Sequence, residues 1–161
     1  MPVELVIFMG LQGAGKSSFY RARFAATHDL VSKDRLRNNR QPGRRQRQFI
    51  EEALAAGCSV VVDNTNPTRQ DRAELIQLAR TFGAAVVGYY FESRLADCLE
   101  RNRRRQGKER VPDVALYATR KRLQPPALDE GFDNLFFVRL LAEGQFEVLD
   151  WKQEYAADEA R

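Results

Sequence analysis

The chain predicts an α/β fold: one domain over residues 1–161, with a parallel sheet of about five strands flanked by helices. Three observations carry this expectation. Short apolar runs alternate with amphipathic stretches of helical period along the whole chain. A glycine-rich loop joins the first apolar run to the first helical stretch. Gly57 and Gly83 stand just past helical stretches, where a left-handed residue ends a helix.

Taken in order, strands are expected at 3–9, 29–32, 59–62, 84–91 and 134–140, with a weaker sixth at 145–151. Each is a short apolar run bounded by polar or turn residues, as a strand buried in a parallel sheet requires. Helical spacing fits 17–27, 34–39, 44–56, 68–82, 93–105 and 113–123. Asn66-Pro67 fits an N-cap followed by proline at the first helical position. Pro125-Pro126 stops the last of these helices, and 125–133 reads as a loop. Residues 152–161 are polar and are expected to fray. Tyr89, Tyr90, Phe91, Phe136 and Phe137 lie in strand patterns and read as core. There is no internal repeat and no low-complexity linker.

Apolar residues make up 43% and charged residues 30%, which excludes a disordered chain. No run approaches the roughly 20 apolar residues of a membrane span, so no membrane partner is expected. No basic segment precedes an apolar stretch at the N-terminus, so a cytoplasmic location is expected. Cys58 and Cys98 match no metal spacing and read as reduced core residues, and His28 reads as a surface residue. No zinc set or cysteine–histidine nucleophile is available.

The net charge of +4 is moderate, but its distribution is uneven. Arg35, Arg37, Arg40, Arg44, Arg45 and Arg47 form one cluster; Arg101, Arg103, Arg104, Arg105, Lys108 and Arg110 form another. Such segregation points to an anionic ligand near these two segments.

Residues Gly10-Leu11-Gln12-Gly13-Ala14-Gly15-Lys16-Ser17 spell G-x-x-x-x-G-K-S between the first strand and the first helix. That context makes the pattern a P-loop, and the fold class a P-loop NTPase. Glycines let successive N–H groups converge on one anion, and the following helix adds its free N–H groups and positive dipole end. Gly10, Leu11, Gln12, Gly13, Ala14, Gly15, Lys16, Ser17 and Ser18 are therefore the expected nucleotide-binding residues. Lys16 has the reach to contact the β- and γ-phosphates of ATP or another nucleoside triphosphate, and the Ser17 hydroxyl suits Mg²⁺.

Asp34 follows the second strand. It is either a general base for an acceptor hydroxyl or a helix N-cap. Asp63 closes the third strand. It either partners Ser17 around Mg²⁺, through water, or belongs to a turn. The arginines of 101–105 end one helix and open a loop. They form either an Arg-rich lid over the triphosphate or a dipole-stabilised helix end.

Together the loop, Lys33-Asp34-Arg35-Leu36-Arg37, Asp63-Asn64-Thr65-Asn66-Pro67 and the R-N-x-x-R of Arg101–Arg105 resemble the kinase domain of 5′-polynucleotide kinases, over roughly residues 3–125. The resemblance implies an ATP- and Mg²⁺-dependent phosphotransferase whose partner is a polynucleotide with a 5′-OH end. It implies Asp34 as general base, Arg37 on the substrate phosphate beside the reacting hydroxyl, and Asn64 on the acceptor side. It implies Lys16, Ser17, Arg101 and Arg105 around the ATP phosphates, with Lys16 and Arg105 catalytic. Family members usually carry a longer helical insert than the 38–56 stretch here. Zeta-toxin-like kinases and small kinases of sugars, antibiotics or nucleotide sugars share the loop, the aspartate and the lid, and form the first alternative. A nucleotide-dependent switch without transfer activity is the second; it has no need of the base that Asp34 offers.

Overall fold

The computed structural model describes residues 2–33 and 40–159. Its elements run β1 (Glu4–Met9), α1 (Lys16–Arg23), β2 (Asp29–Val31), α2 (Pro42–Ala55), β3 (Val60–Asp63), α3 (Arg69–Thr81), β4 (Ala85–Phe91), α4 (Leu95–Arg104), α5 (Asp113–Arg122), β5 (Asn134–Leu140), β6 (Phe146–Asp150) and α6 (Gln153–Glu159). The sheet order is β2-β3-β1-β4-β5-β6. The first five strands in that order are parallel, as expected, and β6 pairs antiparallel with β5 at the edge. The helix expected over 34–39 lies outside the described residues.

β1 is central because its residues are apolar on both faces: Leu5 through Met9 are all fully buried. The period-2 alternation sends them to two cores. Leu5, Ile7 and Met9 pack with Ile50 and Leu54 of α2 and Leu75 and Leu78 of α3. Val6 and Phe8 pack with Phe19 of α1, Leu99 of α4 and Leu116 of α5. Phe8 anchors an aromatic cluster, with ring centroids 5.0 Å from Phe91, 5.8 Å from Phe19 and 5.9 Å from Phe24. This cluster seats α1, and hence the loop before it, against the sheet. Tyr90, Phe91 and Phe137 are buried core residues, as their strand pattern requires.

Several local expectations are corrected. α3 is capped by Thr68, not Asn66: its hydroxyl accepts from the Asp71 N–H while the Asp71 carboxylate accepts from the Thr68 N–H, a full capping box. Asn66 instead sits at φ +42°, buried, and donates from Nδ2 to the Phe8 carbonyl. The tail does not simply fray. α6 forms because Tyr155 stacks on Phe137, with centroids 4.3 Å apart, and meets Trp151 edge-on. Cys58 is exposed in the turn after α2, whereas Cys98 is buried. His28 is not a surface residue: its side chain is 11% exposed, its ring packs on Phe24, and Nε2 lies 2.7 Å from Glu4 Oε1.

A buried ion pair ties α3 to the turn before β5. Arg72 is 0% exposed and donates twice to Glu130, at 2.8 and 3.1 Å, and once to the Asn66 carbonyl at 3.1 Å. Glu130 is itself 4% exposed. Removing one partner strands the other charge in the core, which costs about 3–5 kcal/mol. Glu130→Gln is therefore expected to lower the urea midpoint by that equivalent with an unchanged m-value. The paired replacement Arg72→Met with Glu130→Leu is expected to recover much of the loss.

At the start of β5, Asp133 accepts from Arg80 Nη1 at 2.9 Å and from the Val86 N–H at 2.7 Å. The Arg80 hydrogen bond first, then the Val86 N–H, hold its carboxyl below the usual carboxylate range. A depressed folded-state pKa stabilises above the unfolded-state value of about 3.9, and that gain is lost as pH falls through the folded value. The stability difference between wild type and Asp133→Asn, from denaturant titrations, is expected to hold from neutral pH to about 5 and to shrink below about 4.

Candidate nucleotide and phosphoryl-transfer site

The G-x-x-x-x-G-K-S loop leaves the carboxyl end of β1, at the point where the chain next crosses to opposite sides of that strand. In parallel sheets this switch point is where ligands bind. Gly10, Gly13 and Gly15 take φ of +140°, +83° and +97°, values that favour glycine. Both neighbouring strand ends hold the loop. The Gly10 N–H donates to the Thr65 carbonyl after β3 at 3.1 Å. The Leu11 N–H donates to Ser93 Oγ after β4 at 2.9 Å, and Ser93 Oγ donates to the Phe91 carbonyl at 2.7 Å. From the α4–α5 side, Arg101 Nη1 donates to the Gly13 carbonyl at 2.9 Å, and Thr119 Oγ1 accepts from Gln12 Nε2 at 3.1 Å.

Lys16 is buried, and its ammonium donates to the carbonyls of Gly10 at 2.9 Å and Leu11 at 2.7 Å. The charge is thus held inside the curl of the loop. α1 begins at Lys16 with Gly15 as N-cap, no capping side chain and no acidic residue in the first turn. Its first N–H groups and positive dipole end therefore face the loop, an arrangement suited to an anion.

Asp63 ends β3, paired in register with Phe8 of β1, which places it beside the loop. It is 8% exposed, and Ser17 Oγ donates to its Oδ2 at 2.8 Å. A hydroxyl and a carboxylate at this spacing fit Mg²⁺, which takes few protein oxygens and completes its shell with water and phosphate. Among the described residues, no cluster of three or more histidines, cysteines or carboxylates forms an all-protein metal cage.

Asn64 follows immediately. Its Oδ1 accepts from the Lys33 N–H at 2.8 Å, and its Nδ2 donates to Gln46 Oε1 at 2.7 Å. The amide expected on the acceptor side thus clamps the chain leaving β2 and the start of α2 to the end of β3. Asp34 and Arg37 lie outside the described residues. The clamp fixes Lys33, the residue directly before Asp34.

The α4–α5 connection is closed by Asn102, which is fully buried. Its Nδ2 donates to the Val111 carbonyl at 2.7 Å, and its Oδ1 accepts from the Val111 N–H at 3.0 Å. Arg101, beside it, reaches the P-loop. Arg105 does not: its Nη1 turns to the Glu109 carbonyl at 3.4 Å. Arg103 pairs with Asp113 and Arg104 with Glu100. Four site residues escape sequence reasoning: Gln46, Ser93, Asn102 and Thr119. Only Asn102 had a signal, as the second position of R-N-x-x-R.

A family model described as an AAA domain (AAA_33) matches residues 5–126, and the chain belongs to this family of P-loop kinase domains. A bifunctional polynucleotide phosphatase/kinase of Schizosaccharomyces pombe is 28% identical over 138 residues. The match takes in 82% of this chain and 32% of that protein, so the chain spans about a third of its relative's length. Among solved structures, Kti12 of Chaetomium thermophilum, in complex with ADP-AlF3, superposes with a TM-score of 0.68 at 16% identity, covering 96% of this chain and 94% of that one. A gluconokinase of Sinorhizobium meliloti gives 0.59 at 24% identity, covering 99% and 89%. These two likenesses show the fold. No helix among the described residues is long and apolar enough to cross a membrane.

A Cβ at Gly13 would lie 2.7 Å from the Cys98 carbonyl oxygen, on a backbone already at φ +83°. Gly13→Ala is expected to displace the loop from α4, at a cost on the order of 1–3 kcal/mol. Isothermal titration should show ATP affinity reduced about ten-fold or more. Gly43→Ala, in α2 with open space around its Cβ, should bind ATP like the wild type.

Proposed function

We propose that this P-loop kinase domain transfers the γ-phosphoryl group of ATP to the 5′-hydroxyl of a polynucleotide. The observation that carries the reading is the Asn64 clamp. It ties the Lys33 end of the K-D-x-x-R segment to the strand that presents Asp63, within one crevice with the P-loop. The S. pombe relative, whose name includes a polynucleotide kinase activity, supports the same acceptor.

In this reading the P-loop N–H groups and the first turn of α1 bind the triphosphate, and Lys16 leaves its carbonyl partners for the β- and γ-oxygens. Ser17 and Asp63 would hold Mg²⁺, which would supply charge neutralisation on the phosphates. Asp34 accepts the proton of the 5′-hydroxyl as its oxygen bonds to the γ-phosphorus. The bridging bond to the β-phosphate breaks, and ADP leaves. Arg37 grips the phosphate on the 3′ side of the reacting nucleoside. Arg101, already on the loop, braces it, while Arg105 reaches the triphosphate only after the 105–110 turn moves.

A small-molecule kinase is the second reading, and the full-length fold match to a gluconokinase accords with it. The arginines flanking the acceptor segment favour a polyanion over a neutral sugar.

Steady-state assays with a 5′-OH decamer test the roles. Lys16→Ala and Ser17→Ala are expected to lose about 10²–10³ in kcat, the effect of losing one electrostatic contact to the transferring group. Asp34→Asn is expected to lose about 10²–10⁴ in kcat while retaining ATP affinity, because the amide cannot take the proton. An equal fall in ATP affinity would return Asp34 to a capping role. Two or three phosphate contacts on a single strand predict a slope of log K against log salt near −1.5 to −2. Arg37→Ala should make that slope shallower and raise the oligonucleotide KM far more than the ATP KM.

A further inference from the structure

α2 carries a cation–aromatic pair, Phe49 exposed and Arg45 half-buried, that the phosphoryl-transfer site does not use. The Arg45 guanidinium carbon lies 4.1 Å from the Phe49 ring centroid, one helical turn away. Arg45 Nη1 also donates to Gln48 Oε1 at 2.7 Å, so the guanidinium is held from two sides. Phe49 remains 37% exposed, although α2 buries Ile50 and Leu54 next to it. Among the described residues, no carboxylate lies within ion-pair distance of Arg40, Arg44 or Arg45, whereas Arg47 is paired with Glu51. The first turn of the helix holds no acid. The patch therefore combines a rigid flat surface with unneutralised positive charge.

Its position is set by Gln46. That side chain lies between Arg45 and Phe49 in sequence, is buried, and accepts from Nδ2 of Asn64, the residue after Asp63. Arg45 and Phe49 flank it on the helix, so they stand within about one turn, roughly 5 Å along the axis, of the clamp beside the acceptor segment.

We propose that Arg45 and Phe49 form a stacking platform for an inner base of a single-stranded polynucleotide whose 5′ end enters the crevice, with Arg40 and Arg44 on its phosphates. This rests on the polynucleotide reading above. Bases stack on aromatic rings and on guanidinium planes without regard to sequence, and the charge matches a phosphodiester backbone. The pre-stacked arginine reduces the ordering that a bound strand must impose.

The test compares the KM of a 5′-OH decamer with that of a nucleoside 3′-monophosphate, which is too short to reach α2. In the wild type the decamer is expected to have the lower KM. Phe49→Leu and Arg45→Ala should each reduce that advantage about ten-fold, and Phe49→Tyr should retain it. A 2-aminopurine placed at an inner position of the decamer should be quenched on binding to wild type and to Phe49→Tyr, but less by Phe49→Leu. Thermal melts of the variants identify any loss of folding, and Phe49→Tyr carries the comparison if the others melt early. A Phe49→Leu enzyme equal to Phe49→Tyr in both readouts would overturn the platform while leaving the 5′-hydroxyl reading intact. A wild-type enzyme that phosphorylates neither acceptor would overturn both.

Discussion

The grip of two neighbouring strands on the P-loop is the constraint from which the rest of the site follows. β1 is central, so its carboxyl end is flanked by the ends of β3 and β4. Thr65 and Ser93, just beyond those ends, take the N–H groups of Gly10 and Leu11. Beyond these two, the loop curls on itself, the Ala14 N–H donating back to the Leu11 carbonyl at 3.2 Å. The aromatic cluster around Phe8 and Phe19 seats the following helix, so Lys16 and Ser17 enter the site from a rigid element. Such preorganisation is what phosphoryl transfer asks of a protein, since its catalysis is mostly positioning and electrostatics.

A second layer holds the β3 end in place. Asn66, in a left-handed conformation, binds the Phe8 carbonyl, and its own carbonyl accepts from the buried Arg72. Arg72 is in turn fixed by Glu130. Asp63, Asn64 and Asn66 thus have separate tasks within four residues: one meets Ser17, one clamps Lys33 and Gln46, and one locks the turn to β1. The α4–α5 side is less committed. Arg101 touches the P-loop, while Arg105 stays with its own turn.

Much of the fold was legible from the chain because its signals are local. Apolar runs marked all six strands, and the glycines at 57 and 83 marked two helix ends, each with positive φ. The P-loop was legible because its spacing along the sequence encodes it, and Asp63 because it closes an apolar strand; its contact with Ser17 is seen in the structure. What escaped is encoded between distant segments. Gln46 and Asn64 are 18 residues apart, Arg72 and Glu130 are 58 apart, and Leu11 and Ser93 are 82 apart. No periodicity reports such pairs. His28 and Cys58 were misplaced for the same reason: Glu4 and Phe24 enclose the histidine, while the turn after α2 leaves the cysteine outside. α6 was missed because its polar sequence hides one contact, Tyr155 on Phe137, that seats it.

The acceptor is the most consequential assignment, and a single-turnover competition tests it most directly. Stoichiometric γ-labelled ATP would be offered to the enzyme with a 5′-OH decamer and gluconate together, and the labelled product identified by digestion to nucleotides. The expected result is label recovered in the 5′-terminal nucleotide. Label on gluconate, or only in inorganic phosphate, would contradict a polynucleotide acceptor.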